Sequence, residues 1–111
     1  MVVYNCVDDE DFIAKSDYGI GKRVILYFYL NRGEKCQKIQ PVFEDLCQKY
    51  QQSAIIYTYE VYSDDLLVGE AFNIKKAPTV IVMDDGNEIE RIEEPDEETM
   101  KQFFERYAVE Q

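Results

Sequence analysis

The sequence predicts an α/β fold in which a mixed central β-sheet is flanked by helices on both faces. Strand and helix patterns follow one another in the order βαβαβαββα. The strand–helix–strand start favours parallel neighbours, whereas a hairpin signal near the end requires an antiparallel pair. A chain of 111 residues without a linker or repeat is the usual size of one domain, so residues 1–111 are expected to form a single domain.

The first three elements lead to the centre of this sheet. Residues 2–4 are a short strand-like run, and Asp8 and Asp9 are suited to cap a helix that ends near Gly19. The segment from Arg23 to Leu30 is β-branched and aromatic without polar alternation. This pattern is typical of a strand covered on both faces.

The middle of the chain contains a long helix, a strand and a short helix. Apolar residues from Cys36 to Tyr50 recur at helical spacing, and Pro41 predicts a kink after the first turn. The segment from Ala54 to Tyr62 is a second apolar strand. Asp64 then caps a short helix that extends to Phe72.

The last third predicts a β-hairpin followed by a helix. Residues 78–83 and 88–92 are the two strands, joined by the turn Asp84-Asp85-Gly86-Asn87. Asp96 caps the final helix. The buried stripe of that helix is expected to consist of Met100, Phe103, Phe104 and Tyr107.

The composition excludes several classes of function. The chain has 23 acidic and 12 basic residues, a net charge of −11, and no histidine. A field of this sign repels nucleic-acid phosphates and anionic membranes. Without histidine the usual general base and the commonest zinc ligand are missing. We therefore expect no nucleic acid, no membrane and no metal. We also expect a protein or peptide partner, no cofactor, and a monomer or weak dimer, although the composition does not establish these.

Three cysteines, Cys6, Cys36 and Cys47, are too few and too widely spaced for a complete disulfide framework. The N-terminal residues lack the basic and apolar regions of a signal peptide. These features predict a reducing compartment, and we expect the cytoplasm. Cys47 lies on the apolar stripe and is expected in the core, whereas an exposed position for Cys6 stays open.

Four features, in this order and at this spacing, resemble the thioredoxin family. Gly33-Glu34-Lys35-Cys36 occupies the slot of the Cys-x-x-Cys motif, and Pro41 stands where the family kinks its helix. Ala77-Pro78-Thr79 resembles the cis-proline segment, and Asp85-Gly86 the hairpin turn. The resemblance covers nearly the whole chain. It implies a thioredoxin fold with a cis peptide bond before Pro78.

Four departures from the family's pattern bear on function. Gly33 replaces the attacking cysteine, and Arg32 replaces the tryptophan before it. Tyr27 corresponds to the buried acid of the central strand, which accepts a proton in the family. The glycine near the end of the last strand corresponds to Glu93 or Glu94. Thiol–disulfide exchange needs the attacking thiolate, so we expect no competent disulfide reductase.

Cys36, the remaining motif thiol, has two interpretations. Its position in the first turn of a helix, near Arg32 and Lys35, favours a lowered thiol pKa and a reactive sulfur. Alternatively, Cys36 is a small apolar residue buried under the loop. In the first case the chain is a single-thiol redox protein that uses an external resolving thiol.

The favoured function is a redox-inactive thioredoxin-like module that binds protein or peptide. Its groove would lie between the active-site loop and the cis-proline segment. The basic side chains Arg32, Lys35, Lys75 and Lys76 would favour acidic peptides, although they also suit a solvated surface. The expected binding residues are Arg32, Gly33, Glu34, Lys35, Cys36, Ala77 and Pro78. The seven carboxylates from Glu88 to Glu98 are interpreted as a solvated rim, because they lack the spacing of a calcium loop.

Overall fold

The sheet has the mixed topology that the sequence predicts. A computed structural model describes residues 3–6, 10–12, 21–30, 32–61 and 71–109. The strands and helices are β1 Val3–Cys6, β2 Arg23–Tyr29, α1 Glu34–Lys49, β3 Ile56–Glu60, β4 Thr79–Asp84, β5 Asn87–Glu93 and α2 Glu97–Tyr107. The strand order is β1-β3-β2-β4-β5. Strands β1, β3 and β2 are parallel to one another, β4 is antiparallel to β2, and β5 is antiparallel to β4.

Two predicted helices fall largely outside the described residues. Residues 10–12 are helical, but Asp8 and Asp9 and the remainder of the first helix lie outside that part of the chain. Ala71 is helical, whereas the cap predicted at Asp64 is likewise outside. No helix among the described residues has the length and apolar character to cross a membrane.

Strand β2 is the buried centre of the sheet, as its apolar sequence predicts. Ile25 and Tyr27 face the cluster formed with α1 and α2. Leu26 and Phe28 face a second cluster that includes Phe12 of the helical residues 10–12. Side chains of successive residues in a strand point to opposite faces, so one strand supplies both cores.

The cysteines lie in or next to these cores. Cys47 is buried, as predicted. Cys6, for which an exposed position was left open, is also buried, in the same cluster as Leu26 and Phe28. All three cysteines are thiols.

The hairpin between β4 and β5 uses the turn that its sequence predicts. Asp85 and Gly86 both have positive φ angles, 51° and 81°. A two-residue turn with this backbone matches the right-handed twist of the flanking strands. The Asp85 carboxylate also accepts a hydrogen bond from the backbone N–H of Gly21, at 2.9 Å.

The two helices begin differently. The Asp96 carboxylate caps α2 by accepting from the Thr99 backbone N–H at 2.8 Å. Helix α1 begins after Gly33, which offers no side-chain cap, and continues through Pro41 to Lys49. The stripe of α2 is buried as predicted at Met100, Phe103 and Phe104, whereas Tyr107 is only half-buried.

Candidate functional site

Three segments meet at one end of the sheet because of the strand directions. In the register, Phe28 near the end of β2 lies opposite Thr79 at the start of β4. Thr79 in turn lies opposite Glu93 at the end of β5. The loop before α1, the segment before β4 and the residues after β5 therefore share this end. We call it the loop end of the sheet.

Gly33 and Cys36 are held close together by the start of α1. The Gly33 N–H donates to the Leu30 carbonyl at 3.0 Å, and the Gly33 carbonyl accepts from Gln37 N–H at 2.9 Å. The Leu30 N–H donates to the Cys36 sulfur at 3.3 Å. A Cβ atom added to Gly33 would lie 3.3 Å from that same sulfur. The loop thus keeps two positions side by side, but only one carries sulfur.

Cys36 is a buried thiol, as the second of its two interpretations has it, and its pKa is raised rather than lowered as the first interpretation has it. Its side chain is 2% exposed. Burial raises the pKa of the Cys36 thiol, the hydrogen bond from Leu30 opposes this, and the Glu60 and Glu94 carboxylates add to the rise. Loss of hydration outweighs the helix N-terminus because the thiolate has little access to water. The sulfur is neutral near pH 7.

Tyr27 lies against helix α1, where its ring stacks on that of Phe43 with 3.7 Å between the ring centroids. Its hydroxyl is the only buried side-chain polar atom without a hydrogen-bond partner among the described residues. Burial, helped by the nearby Cys36 and Cys47, raises the pKa of the Tyr27 phenol. The phenol therefore remains protonated and cannot accept a proton at neutral pH.

Pro78 forms the second side of the site. The peptide bond between Ala77 and Pro78 is cis. Pro78 is buried and Ala77 half-buried, and the Thr79 hydroxyl donates to the Lys76 carbonyl at 2.6 Å. The Pro78 carbonyl accepts from the Glu94 N–H at 2.7 Å. The proline segment is thus tied to the residue that follows β5.

Glu94 connects the two sides of the loop end. Its carboxylate forms ion pairs with Lys35 and, at 3.9 Å, with Lys76. The hydrogen bond from Lys35 lowers the pKa of the Glu94 carboxyl. Sequence reasoning assigned a basic surface to these lysines and missed that an acidic residue of the same chain neutralises part of it. The two consecutive glutamates at the end of the last strand, Glu93 and Glu94, were the available signal.

The remaining predicted binding residues surround this centre. Arg32, Glu34 and Lys35 are exposed, as are Lys75 and Lys76. Leu30, which sequence reasoning did not include, adds an apolar side chain that is 38% exposed. Its place at the end of an apolar strand, just before the polar loop, was the signal.

The acidic run from Glu88 to Glu98 is spread along β5 and the start of α2. Among the described residues, no group of three or more potential ligands is placed to hold a metal ion. Most of these carboxylates have partners within the chain. Glu88 pairs with Arg91, Glu90 with Arg106, and Glu97 with Lys101.

Comparison with known proteins agrees with this geometry. The thioredoxin family model matches residues 5–106. No match is found among curated protein sequences. The chain belongs to the thioredoxin family.

Solved thioredoxin structures share the fold at low sequence identity. Thioredoxin from Malassezia sympodialis is 19% identical with a TM-score of 0.80, covering 96% of this chain and 91% of that one. Fasciola hepatica thioredoxin is 17% identical with a TM-score of 0.77, covering 94% and 98%. Oxidised thioredoxin from Plasmodium falciparum is 24% identical with a TM-score of 0.75, covering 96% and 99%.

Proposed function

We propose that this thioredoxin-family protein binds a protein or peptide segment at the loop end of its sheet and does not reduce disulfides. The observation that carries the proposal is glycine at the position whose Cβ would lie 3.3 Å from the Cys36 sulfur. Reduction of a substrate disulfide begins when a thiolate attacks one of its sulfurs and forms a mixed disulfide. Gly33 has no atom that can do so.

A single-thiol mechanism through Cys36 has less support. The thiolate is the nucleophile, and its population falls as the pKa rises. Cys36 is almost fully buried, and its thiol pKa is raised. A substrate sulfur would have to reach it past Gly33 and Leu30.

A binding role is supported by what the loop end presents. Leu30 offers apolar surface, and Arg32 and Lys35 offer positive charge. The backbone of Ala77, next to the cis bond to Pro78, lies at the same end of the sheet. Apolar surface with nearby charges is a combination that recognises an extended segment.

The acidic charge narrows the class of partner. With a net charge of −11, we propose a protein partner rather than nucleic acid or an anionic membrane. We further propose that the chain acts in the cytoplasm, as a monomer or weak dimer. The three buried thiols suit a reducing compartment.

Insulin reduction by dithiothreitol tests the loss of chemistry. We expect the rate with this protein to equal the rate with dithiothreitol alone, because no thiolate stands at position 33. An ordinary dithiol thioredoxin serves as the positive control. A rate comparable to that control would overturn the proposal.

Peptide titration followed by ¹H–¹⁵N NMR tests the binding site. We expect shifts to concentrate at Leu30, Arg32, Lys35 and Ala77, and to weaken as salt is added. Shifts confined to the opposite end of the sheet, around Lys22 and Asp85, would contradict the assigned surface.

A further inference from the structure

Glu94 has a backbone conformation that is unusual for its residue type. Its φ angle is 48°, in the left-handed region. Asn73 and Asp85 are the other non-glycine residues with positive φ in the described part of the chain. Asparagine and aspartate tolerate this region through local hydrogen bonds, whereas a longer side chain gains no such compensation. Contacts at the loop end must therefore stabilise this conformation of Glu94.

Contacts on both sides of the loop end hold it. The Glu94 N–H donates to the Pro78 carbonyl at 2.7 Å, which fixes the backbone beside the proline. The carboxylate meets Lys35 from the start of α1 and Lys76 from the segment before Pro78. One acidic side chain therefore spans the two segments between which we place the bound peptide.

In the two ion pairs of Glu94, the lysine side chains are accessible to another carboxylate. The Lys35 and Lys76 side chains are 66% and 58% exposed, and that of Glu94 is 22% exposed. Ion pairs between exposed groups contribute little net free energy and are screened by salt. An incoming carboxylate can therefore replace that of Glu94 on these lysines without breaking a buried contact.

We infer that Glu94 is an intramolecular competitor for the peptide site, and that the segment bound there carries a carboxylate that replaces it on Lys35 and Lys76. This inference rests on the proposed function, since it presumes that a peptide binds at the loop end. Glu94 lowers affinity for every acidic segment. It also selects those that contact both lysines.

Two peptides and two variants test the inference. The probes are an acetylated and amidated hexapeptide with one central glutamate, and the same peptide with glutamine instead. Glu94→Gln keeps the size of the side chain and removes its charge. Glu93→Gln removes the same charge one residue away, at an exposed position for which no ion pair is found among the described residues. Dissociation constants come from NMR titration at low and high salt.

We expect Glu94→Gln to bind the glutamate peptide about threefold to fivefold more tightly than the unmodified protein, which is the upper part of what one exposed ion pair contributes. Glu93→Gln should change affinity less than twofold. The glutamine peptide should bind the three proteins with similar dissociation constants. High salt should remove the differences in affinity for the glutamate peptide. Equal gains from both variants would overturn the role of Glu94 and leave the peptide site standing. Absence of binding by all three proteins would overturn the peptide site itself.

Discussion

Gly33 has no side chain, but its backbone conformation is one that a cysteine could adopt. Its φ and ψ angles, −72° and 127°, are allowed for any residue. In a disulfide, the Cβ of one cysteine lies roughly 3 Å from the sulfur of the other, as follows from the bond lengths and the S–S distance. The 3.3 Å between a Cβ at position 33 and the Cys36 sulfur is close to this value.

Gly33→Cys should therefore form an intramolecular disulfide with Cys36 under mild oxidation. Mass spectrometry of the intact protein would show the loss of two hydrogen atoms, whose electrons pass to the added oxidant, and peptide mapping would locate the bond. The new Cβ would lie 3.3 Å from the Leu30 carbonyl, so a shift of a few tenths of an ångström is needed. Gly33→Ser is the matched control without sulfur. A variant that keeps both thiols reduced would refute the equivalence of Gly33 with the family's first cysteine.

The same variant should gain only weak reductase activity. We propose that Tyr27 takes the place of the family's buried acid, and its phenol stays protonated because burial raises its pKa. Missing proton transfer of this kind costs roughly 10²–10⁴-fold in rate. Recovery of full activity by Gly33→Cys alone would show that no acid is needed at position 27.

Among the elements, α2 depends most clearly on a single local contact. The Asp96 carboxylate accepts from the Thr99 N–H, and this bond lowers the pKa of the Asp96 carboxyl. The helix also carries Met100, Phe103 and Phe104 into the core. A loss at its first turn is therefore transmitted to the packing against β2 and α1.

Asp96→Ala should lower the free energy of unfolding by about 1 kcal/mol, the usual effect of removing a helix N-cap. Urea unfolding measures this directly. Glu98→Ala is the control, because Glu98 lies in the same first turn and bonds only to the exposed Gln102 among the contacts found. We expect it to cost a few tenths of a kcal/mol. Equal losses would mean that charge near the helix N-terminus, rather than the cap, is what matters.

The sequence predicted the elements better than the site, and the reasons are physical. The apolar run of β2 and the stripe of α2 follow from periodicity, which is a local property. The burial of Cys36 and the link from Glu94 to Lys35 depend on distances between segments far apart in sequence. The helix position of Cys36 indicated a lowered thiol pKa because only the local field could be read from the sequence, without the loss of hydration.

The free energy of unfolding of the protein should decrease at both ends of the pH range. Hydrogen bonds from Arg91, Lys35 and Thr99 lower the carboxyl pKa values of Glu88, Glu94 and Asp96 respectively. Groups of this kind stabilise the folded state above the unfolded pKa of about 4, and the contribution falls as pH drops through the folded values.

The loss of stability at alkaline pH comes from groups whose pKa is raised in the folded state. Burial raises the pKa of the Cys47 thiol to about 12 and also raises that of Cys36. Above about pH 8.5 the unfolded chain releases these protons while the folded chain keeps them, so stability decreases as pH rises. Urea unfolding from pH 3 to 10 should give a maximum between about pH 5 and 8. Cys47→Ala should lose less stability between pH 8 and 10 than the unmodified protein. An identical alkaline slope would exclude Cys47 as its source.

The outer strands of the sheet also decide how copies of this protein behave at high concentration. An unpaired strand edge can add a strand from another chain and begin aggregation. Here β1 has four residues, and β5 carries Glu88, Glu90, Arg91 and Glu93 among its seven. Charged and short edges discourage this kind of addition. The protein should therefore resist fibril formation, and a partner's strand gains little by joining the sheet at β5.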